Sequence, residues 1–371
     1  MKSNATDLSS PALLTQHPAA EVAAPSGYWR VAWRSPRGNA CSVLIERRGL
    51  TVNTGLWVAL LVACVLYLGL GSMTLAPSTV VPALFGRGEM INVFTVQELR
   101  LPRLLAACLT GAAFALAGVL MQTLARNRLA TPGIIGIDNG ATAFAVASVV
   151  GMGISLAPSA MALAGAATAA ALTFGLVAGG GTQGYRFIVA GIGVGAVFGA
   201  VTQLMLARVA IDTANAAYPW TVGSLNARPG DAVFWLAGGL IVGVVAAGVV
   251  ARPLSLMRFK DATACGLGVN VKARRFQVLL LSVVLTALAV AVAGPVGMVG
   301  LIGPEIARSL ASSRQVPLVA SLLSGALVMV LADLAGRTLL APIEIPVGIV
   351  TAVIGGPWLL WILMRPQRSY A

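Results

Sequence analysis

The chain has 371 residues, of which 58% are hydrophobic and only 10% are charged, and its mean hydropathy is +0.88. A soluble domain of this size needs more charge to cover its surface, so the composition excludes an ordinary soluble protein and predicts an all-α protein with many membrane spans. The net charge of +13 does not indicate a nucleic-acid partner, because the basic residues lie between apolar runs rather than in one patch.

The first 50 residues are rich in Ala, Ser, Pro and Arg and contain no apolar core of signal-peptide length. We predict a cytoplasmic tail over 1–50, mostly disordered, and a transmembrane domain over 51–371. Within the tail, "GYWRVAWR" spaces Trp29 and Trp33 four residues apart, so a short helix at the membrane interface is the alternative. The single histidine, His17, also lies here, which argues against histidine as an intramembrane base or metal ligand.

Ten apolar stretches follow, several of them as long as a helix that crosses a bilayer. The eighth is short and flanked by Gly and Pro, so we do not expect it to cross the whole core as a regular helix. Four cysteines without a CxxC spacing indicate neither a disulfide framework nor a metal site. The predicted spans are 54–75, 100–124, 134–152, 157–179, 187–208, 232–251, 276–294, 298–312, 317–336 and 346–364.

The distribution of Lys and Arg predicts the orientation of the spans. If both termini are cytoplasmic and all ten stretches cross, all but six of the 25 basic residues fall on the cytoplasmic side. This bias follows the positive-inside rule. The six exceptions are Arg87, Arg100, Arg103, Arg208, Arg228 and Arg337.

The stretch 251–276, "ARPLSLMRFKDATACGLGVNVKARRF", interrupts the apolar pattern with six basic residues and one acid, Asp261. It predicts a short cytoplasmic helix that ends at Gly266 or Gly268. The chain contains no GxxxxGK[ST] motif for ATP binding, so such a helix suggests docking to another protein. A solvated basic loop next to anionic lipid is the alternative.

Ionisable residues inside the spans are costly and need partners or a function. Asp333 and Arg337 lie four apart and can pair on one helix face, as can Glu305 and Arg308 at a spacing of three. Asp138 has no partner nearby in sequence, so it either caps a helix or lines a polar cavity. Structural pairing and a transport pathway both remain open for these acids.

Three of these six outer arginines lie at the outer ends of predicted spans. They are Arg100, Arg103 and Arg337. Guanidinium groups pair well with carboxylates, so these residues can clamp acidic side chains of an external partner. Snorkelling to the membrane interface is the alternative.

Several ordered segments together resemble one family, the FecCD-type permeases of ABC importers for iron-siderophores, haem and cobalamin. The resemblance covers about 50–365. The segments are "LRLPRLLAACLTGAAFALAGVLMQTLARNRLATPGIIGI" at 99–137, "TVGSLN" before "GDAVFWL", "DATACGLGVNVKARR" at 261–275, "GPVGMVGLIGPEIARSL" at 294–310 and "LADLAGRTLLAPIEIPVGIVTAVIGGPWLLWIL" at 331–363.

The resemblance implies roles for several residues. Residues 254–272 match the coupling helices that sit in a cleft of the ATP-hydrolysing subunit. Arg100, Arg103 and Arg337 match the pocket that receives carboxylates of the substrate-binding protein. The matching contact segment comprises Asp261, Ala262, Ala264, Cys265, Gly266, Leu267 and Gly268.

We predict that the inner gate lies near Gly184 and Tyr185, at the start of the fifth span, and that Asp138 and Glu305 are further candidates along the pathway. The chain departs from the family pattern at two positions. Glu305 stands where the family has histidine, and Arg128 in "RNRLA" stands where it has proline. The N-terminal tail is also longer than the family's.

The resemblance implies an inner-membrane permease with the cobalamin-importer fold, an inverted repeat of spans two to five and seven to ten, and alternating access. Its expected partners are two ATPase subunits, a second permease that is either a paralogue or an identical copy, and a periplasmic or lipid-anchored siderophore-binding protein. We expect no cofactor in this chain and no catalytic activity of its own, with ATP and Mg²⁺ on the ATPase subunit. The motifs look most like ferric-enterobactin-type permeases, and haem or cobalamin is the alternative cargo.

Two alternatives belong to other classes of protein. One is a secondary transporter driven by protons through Asp138, Glu305 and Asp333; the other is a membrane scaffold. The coupling segment argues against the secondary transporter, and the scaffold is the poorer of the two alternatives. An intramembrane hydrolase lacks a histidine base.

Overall fold

A computed structural model describes residues 26–34, 40–71, 73–151, 156–177, 185–226, 230–311 and 315–364. The chain divides into two units, Met1–Thr51 and Val52–Ala371. His17, Gly184 and Arg228 lie outside the described residues.

A β-hairpin lies in the first unit, where we expected disorder or an interfacial helix. Strands β1 (Tyr28–Arg34) and β2 (Ala40–Glu46) pair antiparallel over all seven residues of each. The interfacial helix is therefore wrong, and disorder is wrong for the described part of the tail. Aromatic and β-branched residues favour strands, and "ACSVLIE" supplies the backbone partner that "YWRVAWR" needs.

The regular elements in the rest of the described chain are helices. A π-helical stretch, Thr95–Arg100, joins α3 to α4, and a 3₁₀ turn, Pro132–Ile135, precedes α5. The helices are α1 (Arg47–Gly69), α2 (Pro77–Leu84), α3 (Met90–Phe94), α4 (Leu101–Ala125), α5 (Ile137–Val149), α6 (Pro158–Leu176), α7 (Tyr185–Ala207), α8 (Ile211–Val222), α9 (Gly230–Leu256), α10 (Asp261–Gly266), α11 (Val271–Ala293), α12 (Val299–Leu310), α13 (Leu318–Thr338) and α14 (Val347–Met364).

A helix lies at each of the ten predicted spans, which confirms the all-α polytopic fold. Within the described residues, seven helices are long and apolar enough to cross a membrane. The short eighth span is confirmed, since α12 has 12 residues. The third span is also short, because Gly136 adopts a φ of +83° and delays the start of α5, which has 13 residues. A helix of that length rises about 20 Å, less than the roughly 30 Å hydrocarbon core.

Helix α4 is the centre of the bundle. In its most apolar 18-residue window 83% of the residues are buried, compared with 17% in α1. Two glycines allow its neighbours to approach backbone to backbone. A Cβ at Gly118 would overlap the carbonyl oxygen of Gly300 on α12, and one at Gly111 would overlap that of Gly325 on α13. The small-residue pattern therefore produces close helix packing at these crossings.

Candidate coupling and docking sites

The short helix α10 lies between α9 and α11, at the end of the bundle that the distribution of basic residues assigns to the cytoplasm. It ends at Gly266, and Gly268 follows with a φ of +82°, which only glycine adopts without strain. The predicted surface helix is therefore confirmed. Ala264 is fully buried and packs in a small cluster with Met257 and Val271. This cluster fixes one face of α10 against the ends of α9 and α11.

Two ion pairs fix the beginning of α10. Asp261 accepts from Arg126 at 2.6 Å and from Arg275 on α11 at 3.2 Å. Arg126 ends α4 in the left-handed conformation, with φ +51°, and also donates from Nε to the carbonyl of Met257 at 3.0 Å. The hydrogen bond from Arg126 lowers the pKa of Asp261, and the Arg275 charge acts in the same direction, so the carboxylate is ionised at neutral pH.

The remaining residues of the predicted contact segment face outward. Leu267 is 57% exposed. Ala264 is buried, so it packs α10 against the bundle and does not contribute to the exposed face. The outward residues combine small size with one apolar side chain, which permits close approach of another backbone. Besides Leu267, the exposed members are Ala262, Cys265, Gly266 and Gly268.

At the opposite end of the bundle, Arg103 and Asp333 form a buried ion pair. Arg103 donates from Nε and Nη2 to the two oxygens of Asp333, both at 2.9 Å, and from Nη1 to Glu344 at 2.8 Å. The hydroxyl of Tyr67 donates to the same Asp333 carboxylate at 2.6 Å. The predicted pairing of Asp333 with Arg337 along α13 is therefore wrong, because Arg103 on α4 occupies both carboxylate oxygens.

Arg100 and Arg337 bind backbone carbonyls in the last turn of α1 and just after it. Arg100 is 4% exposed and donates to the carbonyls of Leu68, at 2.6 Å, and Met73. Arg337 donates to the carbonyl of Leu70 at 2.8 Å, and its guanidinium carbon lies 4.2 Å from the centroid of the Tyr67 ring.

These three arginines line one cavity of about 460 Å³, together with Glu98 and Glu344. The structure thus brings together the residues that we predicted to dock a binding protein. All three, however, already donate to groups within this chain, and the buried Nε of Arg337 has no hydrogen-bond partner among the described residues. Docking by these residues remains a prediction, and it would require a partner's carboxylate to compete with Glu344 or to use the remaining guanidinium N–H groups.

Glu305 and Arg128, the two residues that depart from the family pattern, contact each other. Glu305 accepts from Arg308 at 2.8 Å, which confirms the predicted i,i+3 pair, and from Arg128 at 3.4 Å. The Glu305 side chain is 14% exposed. Because two guanidinium groups hold it, Glu305 is placed to brace the turn after α4 against α12.

Asp138 lies in the first turn of α5 beside Gly133. Among the described residues, its buried Oδ1 has no hydrogen-bond partner. The predicted capping role is not seen, because Gly136 occupies the N-cap position and α5 has no side-chain cap. Tyr185 is the first residue of α7, but its side chain lies outside the described residues.

Sequence reasoning missed four side chains that complete these sites: Arg126 and Arg275 around Asp261, and Tyr67 and Glu344 around Arg103. The partners are separated in sequence by up to 266 residues, so no local spacing indicates them. A weak signal existed for Glu344, since an acid flanked by prolines in a short outer loop needs a partner.

Comparison with known proteins agrees with this architecture. The chain is 35% identical over 328 residues to the ferric enterobactin transport system permease protein FepG of Escherichia coli (strain K12), covering 88% of this chain and 99% of that protein. It is 36% identical over 346 residues to the achromobactin transport system permease protein CbrC of Dickeya dadantii (strain 3937), covering 90% and 99%. A solved inward-facing metal-chelate type ABC transporter aligns with a TM-score of 0.74 and 27% identity, covering 86% of this chain and all of that one.

The helical bundle and these alignments together define a multi-pass membrane permease of the ABC-importer class. A model of the FecCD transport family matches residues 59–365, so the chain belongs to that family.

Proposed function

We propose that this chain is the membrane subunit through which a ferric siderophore enters the cell, driven by ATP hydrolysed on a separate subunit. The proposal rests on the packing and exposure of helix α10. One face is fixed by the Asp261 ion pairs and the Ala264 cluster, and the other presents small residues and Leu267 to the outside. A surface helix built in this way transmits force rather than binding a small molecule.

The contacts of α10 suggest how the force would travel. Asp261 joins it to the end of α4 through Arg126 and to the start of α11 through Arg275. When two ATPase subunits close around ATP and Mg²⁺, a push on α10 would reach α4, the most enclosed helix of the bundle. Rearrangement of packed helices in this way is a mechanism for alternating access.

At the outer end, we propose that Arg100, Arg103 and Arg337 receive acidic residues of a siderophore-binding protein. Glu344 is 44% exposed and holds the Nη1 group of Arg103. A partner's carboxylate can replace that contact without exposing Asp333, which keeps both of its own bonds to Arg103. Glu344 thus occupies the place of the incoming carboxylate until docking.

The proposed cargo is a ferric catecholate siderophore, because one of the relatives named above is a ferric enterobactin permease and the motifs of this chain look most like that type. Haem or cobalamin is the alternative cargo. We propose an inner-membrane location with both termini in the cytoplasm, because the basic residues concentrate on that side. The second permease of the complex is proposed to be a paralogue, as the enterobactin-like resemblance favours.

A proton-driven transporter finds less support in the geometry. Glu305 is held by two arginines at the inner end of α12, and Asp333 is held by Arg103 and Tyr67 at the outer end of α13. Of the three acids on which that mechanism depends, only Asp138 retains an unpartnered oxygen among the described residues. The three acids therefore form no continuous proton relay there.

The test is purification of the chain from its native membrane in mild detergent, followed by mass spectrometry and by uptake in liposomes. We expect a bound subunit with a GxxxxGK[ST] motif and a second permease, and ATP-dependent uptake of ferric catecholate but not of haem or cobalamin. If the chain is isolated alone and moves substrate under a proton gradient, the proposal is refuted.

A further inference from the structure

Two cysteines meet between α1 and α4, although 44 residues separate them in sequence. The sulfur atoms of Cys64 and Cys108 lie 4.0 Å apart, close enough for a weak S–H···S hydrogen bond. Both thiols are free, and both side chains are half-buried. The spacing of the cysteines along the chain does not indicate this pair, because its members belong to different spans.

Little besides a change of rotamer separates this pair from a disulfide. The sulfurs must approach each other by about 2 Å to reach the bond length of about 2.05 Å. Rotation about χ1 moves a cysteine sulfur without moving the backbone. Within the described part of the chain, each thiol has only the other as a hydrogen-bond partner, so the rotation breaks no other hydrogen bond.

The position of the pair decides which reagents can reach it. Cys64 precedes Gly69, the last residue of α1, by five residues, and Cys108 follows Leu101, the first residue of α4, by seven. These offsets place the thiols about 8 and 10 Å from the ends of their helices, inside the hydrocarbon region. Val65, next to Cys64, is 54% exposed, so the lipid phase borders the pair. An apolar oxidant that dissolves in the membrane therefore has access to it.

We propose that Cys64 and Cys108 form a redox pair, which closes to a disulfide when a membrane-soluble quinone oxidises it. Two S–H bonds break and one S–S bond forms. The two electrons and two protons pass to the quinone, which becomes a hydroquinone. The reaction needs no metal and no further thiol.

The bond would attach the least enclosed span to the most enclosed one. In the most apolar window of α1 only 17% of the residues are buried, compared with 83% for the span that contains α4. Tyr67 lies one turn from Cys64 and donates to Asp333. The disulfide would therefore hold α1 at α4 beside the outer ion-pair network.

The test uses the full chain in liposomes, first reduced and then treated with a fully substituted quinone, to whose ring thiols cannot add. Digestion without reductant and mass spectrometry should recover one peptide pair that joins Cys64 to Cys108. Its mass should be lower by two hydrogen atoms than the sum of the two thiol peptides. The melting temperature should rise on oxidation and return on reduction, because a cross-link constrains the unfolded chain.

Two kinds of variant serve as controls. Cys64→Ser and Cys108→Ser should each abolish the link and the redox-dependent shift in melting temperature. Cys64→Ser/Val65→Cys keeps a thiol at the same depth but moves it about 100° around α1, to an exposed position. That thiol meets the quinone at least as readily, yet it should link to Cys108 at least tenfold more slowly.

Four results would overturn the proposal. Absence of the linked peptide pair after prolonged oxidation would show that the two thiols only pack together. Equally fast linking in the Val65→Cys control would show general thiol reactivity. A link that forms only between copies of the chain would exclude an intramolecular pair. An unchanged melting temperature in the fully linked chain would show that the bond does not hold α1.

Discussion

Replacing Asp261 by Lys is the sharpest test of the coupling role of α10. The carboxylate joins this helix to Arg126 at the end of α4 and to Arg275 on α11. The Lys variant removes both ion pairs and places a third cation beside the two arginines. The bundle itself buries its apolar core elsewhere, so we expect the chain to fold and insert normally.

The size of the effect follows from exposure. The Asp261 side chain is 45% exposed, so solvent screens its ion pairs, and such pairs contribute about 0.2–1 kcal/mol each. Two lost pairs and the added repulsion together amount to about 1–3 kcal/mol. Since about 1.4 kcal/mol corresponds to a factor of ten, the equilibrium constant for holding α10 against α4 should fall roughly 5- to 150-fold.

The assay is uptake of ferric siderophore into proteoliposomes that contain the complete importer, measured together with ATP hydrolysis. Siderophore transported per ATP should fall at least fivefold, with hydrolysis changed less than twofold. Asp231→Lys, at an exposed acid that starts α9, is the control with the same charge change. Adding Arg126→Asp to the Lys variant restores opposite charges and should recover part of the transport, since Asp tolerates the left-handed conformation. An unchanged ratio in Asp261→Lys would refute the reasoning.

Four further predictions follow from the geometry. Glu344→Gln frees a donor of Arg103, so the binding protein should bind severalfold more tightly at low salt in biolayer interferometry; equal affinity would exclude competition. Arg103→Glu leaves Asp333 buried and unpaired, so it should cost about 3–5 kcal/mol in thermal unfolding. Gly118→Ala places a methyl group against a backbone carbonyl and should lower the melting temperature, whereas Gly248→Ala, with open space around it, should not. Folding lowers the pKa of Asp261, so its ion pairs stabilise the folded protein fully above about pH 5. This stabilisation is lost as the pH falls below the unfolded-state pKa of about 3.9. Loss of coupling near pH 6 would contradict this prediction.

The membrane spans could be predicted from the sequence because hydrocarbon allows few alternatives. An apolar stretch in lipid must satisfy its own backbone hydrogen bonds, so length and composition largely decide the structure. The end of α10 was also predictable, since Gly266 and Gly268 supply a local stop signal. The shortening of α5 was not, because the residues around Gly136 read as one apolar stretch with the helix that follows.

The partners of the charged residues could not be predicted, because tertiary packing overrides local spacing. Asp333 and Arg337 lie four apart on α13, which permits an ion pair. Arg103 instead reaches both Asp333 oxygens from α4, while Arg337 stacks on Tyr67. A bidentate contact in a buried site is stronger than a single exposed pair, so the long-range partner prevails.

Helix α4 connects the two sites. Arg103 in its first turn belongs to the outer network, and Arg126, which ends it, holds α10. They are separated by about 35 Å along the helix axis, roughly the thickness of the membrane core. The close contacts at Gly111 and Gly118 leave no room for α4 to move independently of α12 and α13. A shift of α4 would therefore alter the proposed docking arginines and the proposed coupling helix together. If both proposals hold, binding-protein docking and ATP hydrolysis would influence each other through a single rigid element.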